Sequence, residues 1–183
     1  KAVSGGYEAE IAVALDSVGA LKKVAMDVVV VNGTDKIAFN DTTLSQETSS
    51  KYYSIGLMKV GTTVESGTIV VDGEIDERWA TVEEIPLSLG SVDADPTFKV
   101  LWDKDYLYVL ADVKDTVLNK DHADAWMQDS IEVFIDENNK KTTGYDDDDK
   151  QYRINYANEQ SFNGQKCKAE NVISATKTVD GGY

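Results

Sequence analysis

Short β-rich runs separated by polar turns recur along the whole chain, and that spacing limits the fold more than any other feature. Val24 to Val31 is dominated by β-branched residues and reads as a buried strand. Asn32-Gly33 follows it, a strong turn signal. Tyr7 to Leu15 alternates as a strand does, although its alanines also permit a helix. Lys36 to Phe39, Tyr52 to Val60 and Val172 to Thr178 read as further strands. Phe98 to Trp102 and Tyr106 to Val113 form a hairpin around Asp103-Lys104-Asp105, and Ser130 to Ile135 pairs with Gln151 to Tyr156. Gly73 to Trp79 turns toward a short helical turn, with Trp79 in the core. Asp41 to Ser50 is a polar loop, and Gly61 to Gly67 is a small-residue join. Two prolines and little helical period in 183 residues predict an all-β fold, an antiparallel β-sandwich of jelly-roll type.

Charge and rare residues narrow the function. A formal net charge of -15 repels nucleic acid and anionic membranes, so neither is expected as a partner. Such acidity suits calcium, which takes several hard oxygen ligands. Cys167 is the single cysteine, so no intrachain disulfide forms, and it reads as a small buried apolar residue. His122 is the single histidine, which leaves zinc sites and Ser–His–Asp or Cys–His catalysis poorly supported. No apolar run reaches the roughly 20 residues of a membrane helix. The first residue is Lys rather than Met, which reads as a chain cut from something longer.

The stretch from Asp124 to Asn139 carries the most chemistry. A tryptophan, Trp126, sits in a polar loop just before the β-rich run Ser130 to Ile135. Alternation puts Ile131, Val133 and Ile135 on one face and Ser130, Glu132 and Phe134 on the other. A flat aromatic platform beside the Glu132 carboxylate is a way to grip a small hydroxylated ligand. A buried tryptophan and a solvated glutamate are the plainer alternative. On the partner run, Arg153 and Asn155 share a face opposite Tyr152, Ile154 and Tyr156. They offer donors and an amide to vicinal hydroxyls, or form an ordinary polar outer face. The run Asp146 to Asp149 repels itself unless solvated or bridged by a cation, and Asp136 and Asn138 lie just upstream. Its spacing is not that of an EF-hand loop. Carboxylate pairs abound, such as Glu132 with Asp129 or Asp136, yet none is singled out as the acid a glycosidase needs, so no enzyme is expected.

The two ends repeat each other. Lys1 to Tyr7 (Lys-Ala-Val-Ser-Gly-Gly-Tyr) and Lys177 to Tyr183 (Lys-Thr-Val-Asp-Gly-Gly-Tyr) match at five of seven positions, offset by 176 residues. A tandem array cut at the same internal point in two successive copies accounts for this. Residues 1–60 would be the back part of one module, 61–67 the join and 68–183 the front part of the next. Together they would close as one circularly permuted domain over 1–183.

Five segments resemble family 9 carbohydrate-binding modules: Val71 to Trp79, Val100 to Val109, Val113 to Asp115, Trp126 to Asp136 and Gln151 to Tyr156. Gly5 to Ile11 and Tyr53 to Val60 resemble the back part of such a module more weakly. The resemblance implies a β-sandwich with bound calcium. It also implies a sugar held between two tryptophans at the chain ends of cellulose or xylan. The parent protein would be a secreted or cell-surface bacterial enzyme with a glycoside hydrolase domain, such as a xylanase. It places Trp126 as the first tryptophan, Glu132, Arg153 and Asn155 on sugar hydroxyls, and Asp115, Asp129, Asp136 and Asp149 as calcium ligands. The second tryptophan is missing: Asp41 to Lys51 holds no aromatic residue, and Glu47 falls near its place. A glutamine of the preceding strand is replaced within Val28 to Val31. Tyr52 and Tyr53 are the nearest substitutes. A spacer copy that has lost sugar binding is therefore an alternative. A more remote one is a haem-carrying sandwich drawing on His122, Met26, Met58 or Met127.

Overall fold

The computed structural model describes residues 6–15, 24–44, 49–55, 62–63, 69–90 and 96–179. In chain order the strands are β1 (Gly6–Ala14), β2 (Val24–Asn32), β3 (Asp35–Ala38), β4 (Tyr53–Ile55), β5 (Thr62–Thr63), β6 (Ile85–Pro86) and β7 (Leu89–Gly90). They continue with β8 (Thr97–Trp102), β9 (Tyr106–Val113), β10 (Ser130–Asp136), β11 (Asp149–Asn155), β12 (Gln160–Asn163) and β13 (Val172–Val179). Short 3-10 turns are the sole helical elements among the described residues. One sheet runs β13-β1-β9-β8-β5, with β6 also on β8. The other runs β12-β11-β10-β2-β3-β7, with β4 also on β2. The expected sandwich is present.

Alternation dictates how the sheets meet. Tyr7, Ala9, Ile11 and Val13 of β1 and Leu107, Val109 and Ala111 of β9 face inward. Met26, Val28 and Val30 of β2 and Ile131, Val133 and Ile135 of β10 meet them from the other sheet. Tyr152 and Ile154 of β11 join the same core. From Val24 to Val31 strand β2 is apolar except at the buried Asp27, because both its faces are covered. Its outward Ala25, Val29 and Val31 pack with Ala38, Tyr52 and Phe134 in a second apolar cluster.

Residues from the chain's beginning complete both sheets. Strand β1 lies between β13 and β9, and β2 lies between β10 and the β3 and β4 strands. Gly6 faces Val179 and Tyr7 faces Thr178, so the described parts of the two repeated ends lie side by side.

Several expectations need refinement. The run Tyr52 to Val60 forms a strand only over Tyr53–Ile55 within the described residues, and 56–60 lie outside them. The polar loop at 41–50 is anchored: Asp41 is buried and its amide donates to Asp27 Oδ2 at 2.8 Å. The join includes one parallel pairing, Thr62 and Thr63 along Leu101 and Trp102, in an otherwise antiparallel sandwich. The hairpin at Asp103 forms as expected. There one buried carboxylate accepts the Asp105 and Tyr106 amides at 2.7 and 2.8 Å and the Tyr108 hydroxyl at 2.9 Å.

A polar latch ties the first strand to the chain's middle. Glu10 is buried, and its Oε1 accepts the Trp79 indole N–H at 3.1 Å. Burial pushes the Glu10 carboxyl up to about 7 from 4.5, against the opposing effect of bonds from Gly73 and Trp79. The folded state therefore holds this proton more tightly than the unfolded chain. Its contribution is complete below about 4.5 and is lost as pH rises through about 7. Glu10→Gln is accordingly expected to raise the melting temperature at pH 8 and to leave it nearly unchanged at pH 4. Parallel melting curves of the two proteins check this, and an equal difference at both pH values contradicts it.

Candidate functional site

The pairing of β10 with β11 sets the site. Glu132 lies directly opposite Arg153, Ser130 opposite Asn155 and Phe134 opposite Gln151. All six side chains share the outward face of the second sheet, as alternation requires. That face is not solvated: Glu132 is fully buried and Asn155 is 3% exposed. Glu132 Oε1 accepts from Arg153 Nε at 2.6 Å, and Oε2 accepts from Gln151 Nε2 at 3.0 Å. Arg153 Nη1 donates to Ser161 Oγ of β12 at 2.9 Å. A buried carboxylate is tolerable because a charged partner and a second donor replace its water.

Trp126 has the opposite environment. It sits in the 3-10 turn Ala125–Met127 and is 48% exposed. The plainer alternative, a buried tryptophan beside a solvated glutamate, is thus reversed on both counts. Gln128 fixes the Trp126 loop against the sheet. Its Oε1 accepts from Asn155 Nδ2 at 2.9 Å, and its Nε2 donates to the His122 carbonyl at 2.8 Å. Asn155 Nδ2 also donates to Glu159 Oε2 at 2.7 Å, and Lys120 holds Glu159 in turn. Trp126, Glu132, Arg153 and Asn155 are therefore gathered around one end of β10 and β11. Sequence reasoning gave Gln151, Gln128 and Ser161 no role. Gln151 was within reach, since it shares the alternation of Arg153 and Asn155.

Neither Tyr52 nor Tyr53 supplies a second aromatic platform on this face. Tyr52 is 1% exposed, packs 5.9 Å from the Phe134 ring and donates its hydroxyl to that of Tyr145 at 3.2 Å. Tyr53 is exposed, but it pairs with the inward-facing Met26 and lies edge-on to Phe39 at 5.4 Å. Val29 stands directly opposite Glu132, within the run where a glutamine was expected. Glu47 lies outside the described residues.

The four candidate calcium ligands separate into two pairs. Asp129 precedes β10, and Asp136 ends it, on the order of 20 Å away at the rise of a strand. Asp129 Oδ1 and Oδ2 accept the Gly33 and Asn119 amides at 2.8 and 2.7 Å, and Asp115 Oδ1 accepts the Val117 amide at 2.9 Å. At the far end Asp136 faces Asp149 across the strands. Asp149 Oδ2 accepts the Asp146 amide at 2.7 Å, whereas its buried Oδ1 has no hydrogen-bond partner. Burial pushes the Asp149 carboxyl up to about 6, with the Asp136 charge adding to it. An orphaned buried carboxylate oxygen among further aspartates fits a hard cation in donor type. No group of three or more His, Cys, Asp or Glu side chains is yet drawn together as a metal cage among the described residues. The remote haem alternative gains nothing here. Met26 is wholly buried in the core, His122 accepts the Asp124 amide through Nδ1 at 3.0 Å, and Met58 lies outside the described residues.

Known proteins show similar sequence and structure. The family model described as carbohydrate family 9 binding domain-like matches residues 71–183. Endo-1,4-beta-xylanase A of Thermotoga neapolitana is 47% identical over 169 residues, covering 87% of this chain and 16% of the relative. Endo-1,4-beta-xylanase A of Thermoanaerobacterium saccharolyticum is 40% identical over 192 residues, covering 97% of this chain and 16% of that relative. The chain thus spans a small part of the curated relatives it matches. A solved family 9 module from Caldicellulosiruptor kristjanssonii, in complex with cellotriose, overlays with a TM-score of 0.52 at 38% identity. That overlay covers 56% of this chain and 53% of the other. With the sandwich, the exposed Trp126 and the Glu132–Arg153 pair, the match places this chain in the family 9 carbohydrate-binding modules.

Proposed function

We propose that this chain is a non-catalytic module that binds short β-1,4-linked oligosaccharides and the free ends of cellulose or xylan chains. The observation that carries the reading is a half-exposed Trp126 beside the buried, preorganised Glu132, Arg153 and Asn155. A sugar ring stacks its C–H face on the indole while its hydroxyls meet the open edge of Arg153, which Glu132 holds in place from beneath. The cellotriose complex of the Caldicellulosiruptor module supports this ligand class. A glycosidase needs two carboxylates poised about the bond, whereas both Glu132 oxygens are engaged by Arg153 and Gln151. Hydrolysis belongs to a catalytic glycoside hydrolase domain elsewhere in the parent chain, as the xylanase relatives suggest. The parent protein works outside the bacterial cell, where insoluble polysaccharide is found.

Val29 opposite Glu132 and the buried Tyr52 favour a second reading, a spacer copy without sugar binding. Calorimetric titration with cellotriose and xylotriose separates the two. Saturable heat supports sugar binding, and flat traces from folded protein leave the spacer.

The module is also read as a calcium binder. The Asp136 and Asp149 end is favoured by its orphaned oxygen, with Asp115 and Asp129 at the other end of β10. Calcium at a hundred times its dissociation constant is expected to raise the melting temperature by about 5–10 °C. Asp149→Asn removes that gain if the far end holds the ion. Identical melting in calcium and in chelator eliminates the metal.

The chain is further read as the back part of one copy joined to the front part of the next. Support comes from β1 closing on β13, and from an overlay that covers about half of each chain although the sandwich is complete. A permuted chain compared in sequence order aligns through one of its two pieces.

A further inference from the structure

The Trp126 loop is joined to β11 by a relay of two side-chain amides, and the polarity of each is fixed. Asn155 Oδ1 accepts the Ala157 and Glu159 backbone N–H groups at 3.0 and 2.9 Å. Its Nδ2 donates to Glu159 Oε2 at 2.7 Å and to Gln128 Oε1 at 2.9 Å. Both hydrogens and both lone pairs of this amide are in use. Turned over, it would set hydrogens against two N–H groups and an oxygen against two oxygens, so it has one orientation. Lys120 pairs with Glu159 Oε1 and holds that carboxyl below its ordinary value, with Asn155 adding to the effect. Because Asn155 offers an N–H, Gln128 turns its oxygen toward it, which leaves Gln128 Nε2 to donate to the His122 carbonyl at 2.8 Å. That bond closes residues 122–128 around the 3-10 turn that holds Trp126. Within the closed loop the Asp124 amide donates to His122 Nδ1 at 3.0 Å, and the Met127 amide to the Asp124 carbonyl at 3.0 Å.

Building on the sugar-binding reading above, we infer that Gln128 is a positioning residue for that site: its amide, oriented by Asn155, sets where the Trp126 ring stands relative to the polar groups of β11. Trp126 is 48% exposed, so core packing does little to hold it. Backbone bonds to Asn119 and Tyr156 pin Asp129 on one side of the tryptophan. Gln128 carries that anchoring across to His122 on the other side. A platform that is already in place costs less to order when a sugar arrives, so the loss of this link falls on affinity. The role needs an acceptor and a donor at the end of one side chain. Leucine has neither, and glutamate has both only when protonated.

The test titrates the whole chain with cellotriose by calorimetry and records NMR relaxation of the Trp126 indole N–H. Gln128→Leu is expected to weaken cellotriose binding about tenfold and to make the indole more mobile, with a melting temperature within about 2 °C of the parent's. Gln128→Glu separates positioning from simple packing. At pH 8 its carboxylate meets the His122 carbonyl, and affinity falls about tenfold below that of the parent at the same pH. At pH 4 about half or more of this carboxyl is protonated and donates again, so the gap to the parent closes to about threefold. A gap that does not change with pH overturns the inference, and so does an indole as rigid in Gln128→Leu as in the parent. If the parent itself gives no heat with cellotriose, the sugar-binding reading falls on its own, and the indole relaxation still decides whether Gln128 positions Trp126.

Discussion

Trp126→Ala is expected to lower the affinity for cellotriose at least thirtyfold, about 2 kcal/mol, and to leave the fold intact. The two halves of that expectation come from one number. Trp126 is 48% exposed, so its removal opens no cavity in the core, and the melting temperature is expected to move by less than about 2 °C. The same exposure gives the ring a free face for a sugar. Tyr52 and Phe134 on this face are buried, so neither replaces the lost stacking surface. Calorimetry with cellotriose and thermal melting of the same sample measure both effects. Unchanged affinity removes Trp126 from the site, and a large loss of stability makes it a structural residue instead.

Glu132→Ala is expected to behave differently, losing binding and stability together. Glu132 is fully buried, and its carboxylate satisfies Arg153 Nε and Gln151 Nε2 at once. Deleting one partner of a buried ion pair strands the other charge and costs about 3–5 kcal/mol. For a chain of this size that is a drop on the order of 10 °C in melting temperature. Glu132→Gln retains the shape and one acceptor, so it keeps more stability than the alanine variant while still losing the charge-assisted bond to Arg153. Melting curves of the three proteins rank them. A Glu132→Ala protein as stable as the parent shows that the pair carries no structural role.

Contrasting the two residues shows where sequence reasoning reaches. The alternation of Ser130 to Ile135 correctly separated Glu132 from the core-facing Ile131, Val133 and Ile135. The same rule puts Arg153 and Asn155 on the outward face of the second sheet, together with Gln151. It could not say that this face is dry. That depends on Tyr52, Leu44 and Tyr145 packing over the second sheet from loops that are distant in sequence. Acidic residues were harder still: Asp115, Asp129, Asp136 and Asp149 look alike in a sequence, and the strand length of β10 alone divides them into two ends.

The sequence by itself determined the strands, the turns between them and which side chains share a face. These follow from the backbone's period of two and from turn residues such as Asn32-Gly33, both properties of adjacent residues. Tertiary structure alone decided that β1 and β2 take interior places in the two sheets, that Glu132 is buried while Trp126 is open, and that Gln128 meets Asn155. Each of these depends on pairing between residues far apart in the chain. Burial, charge repulsion and the demand for a hydrogen-bond partner act through space, and no local pattern records which distant segment will arrive.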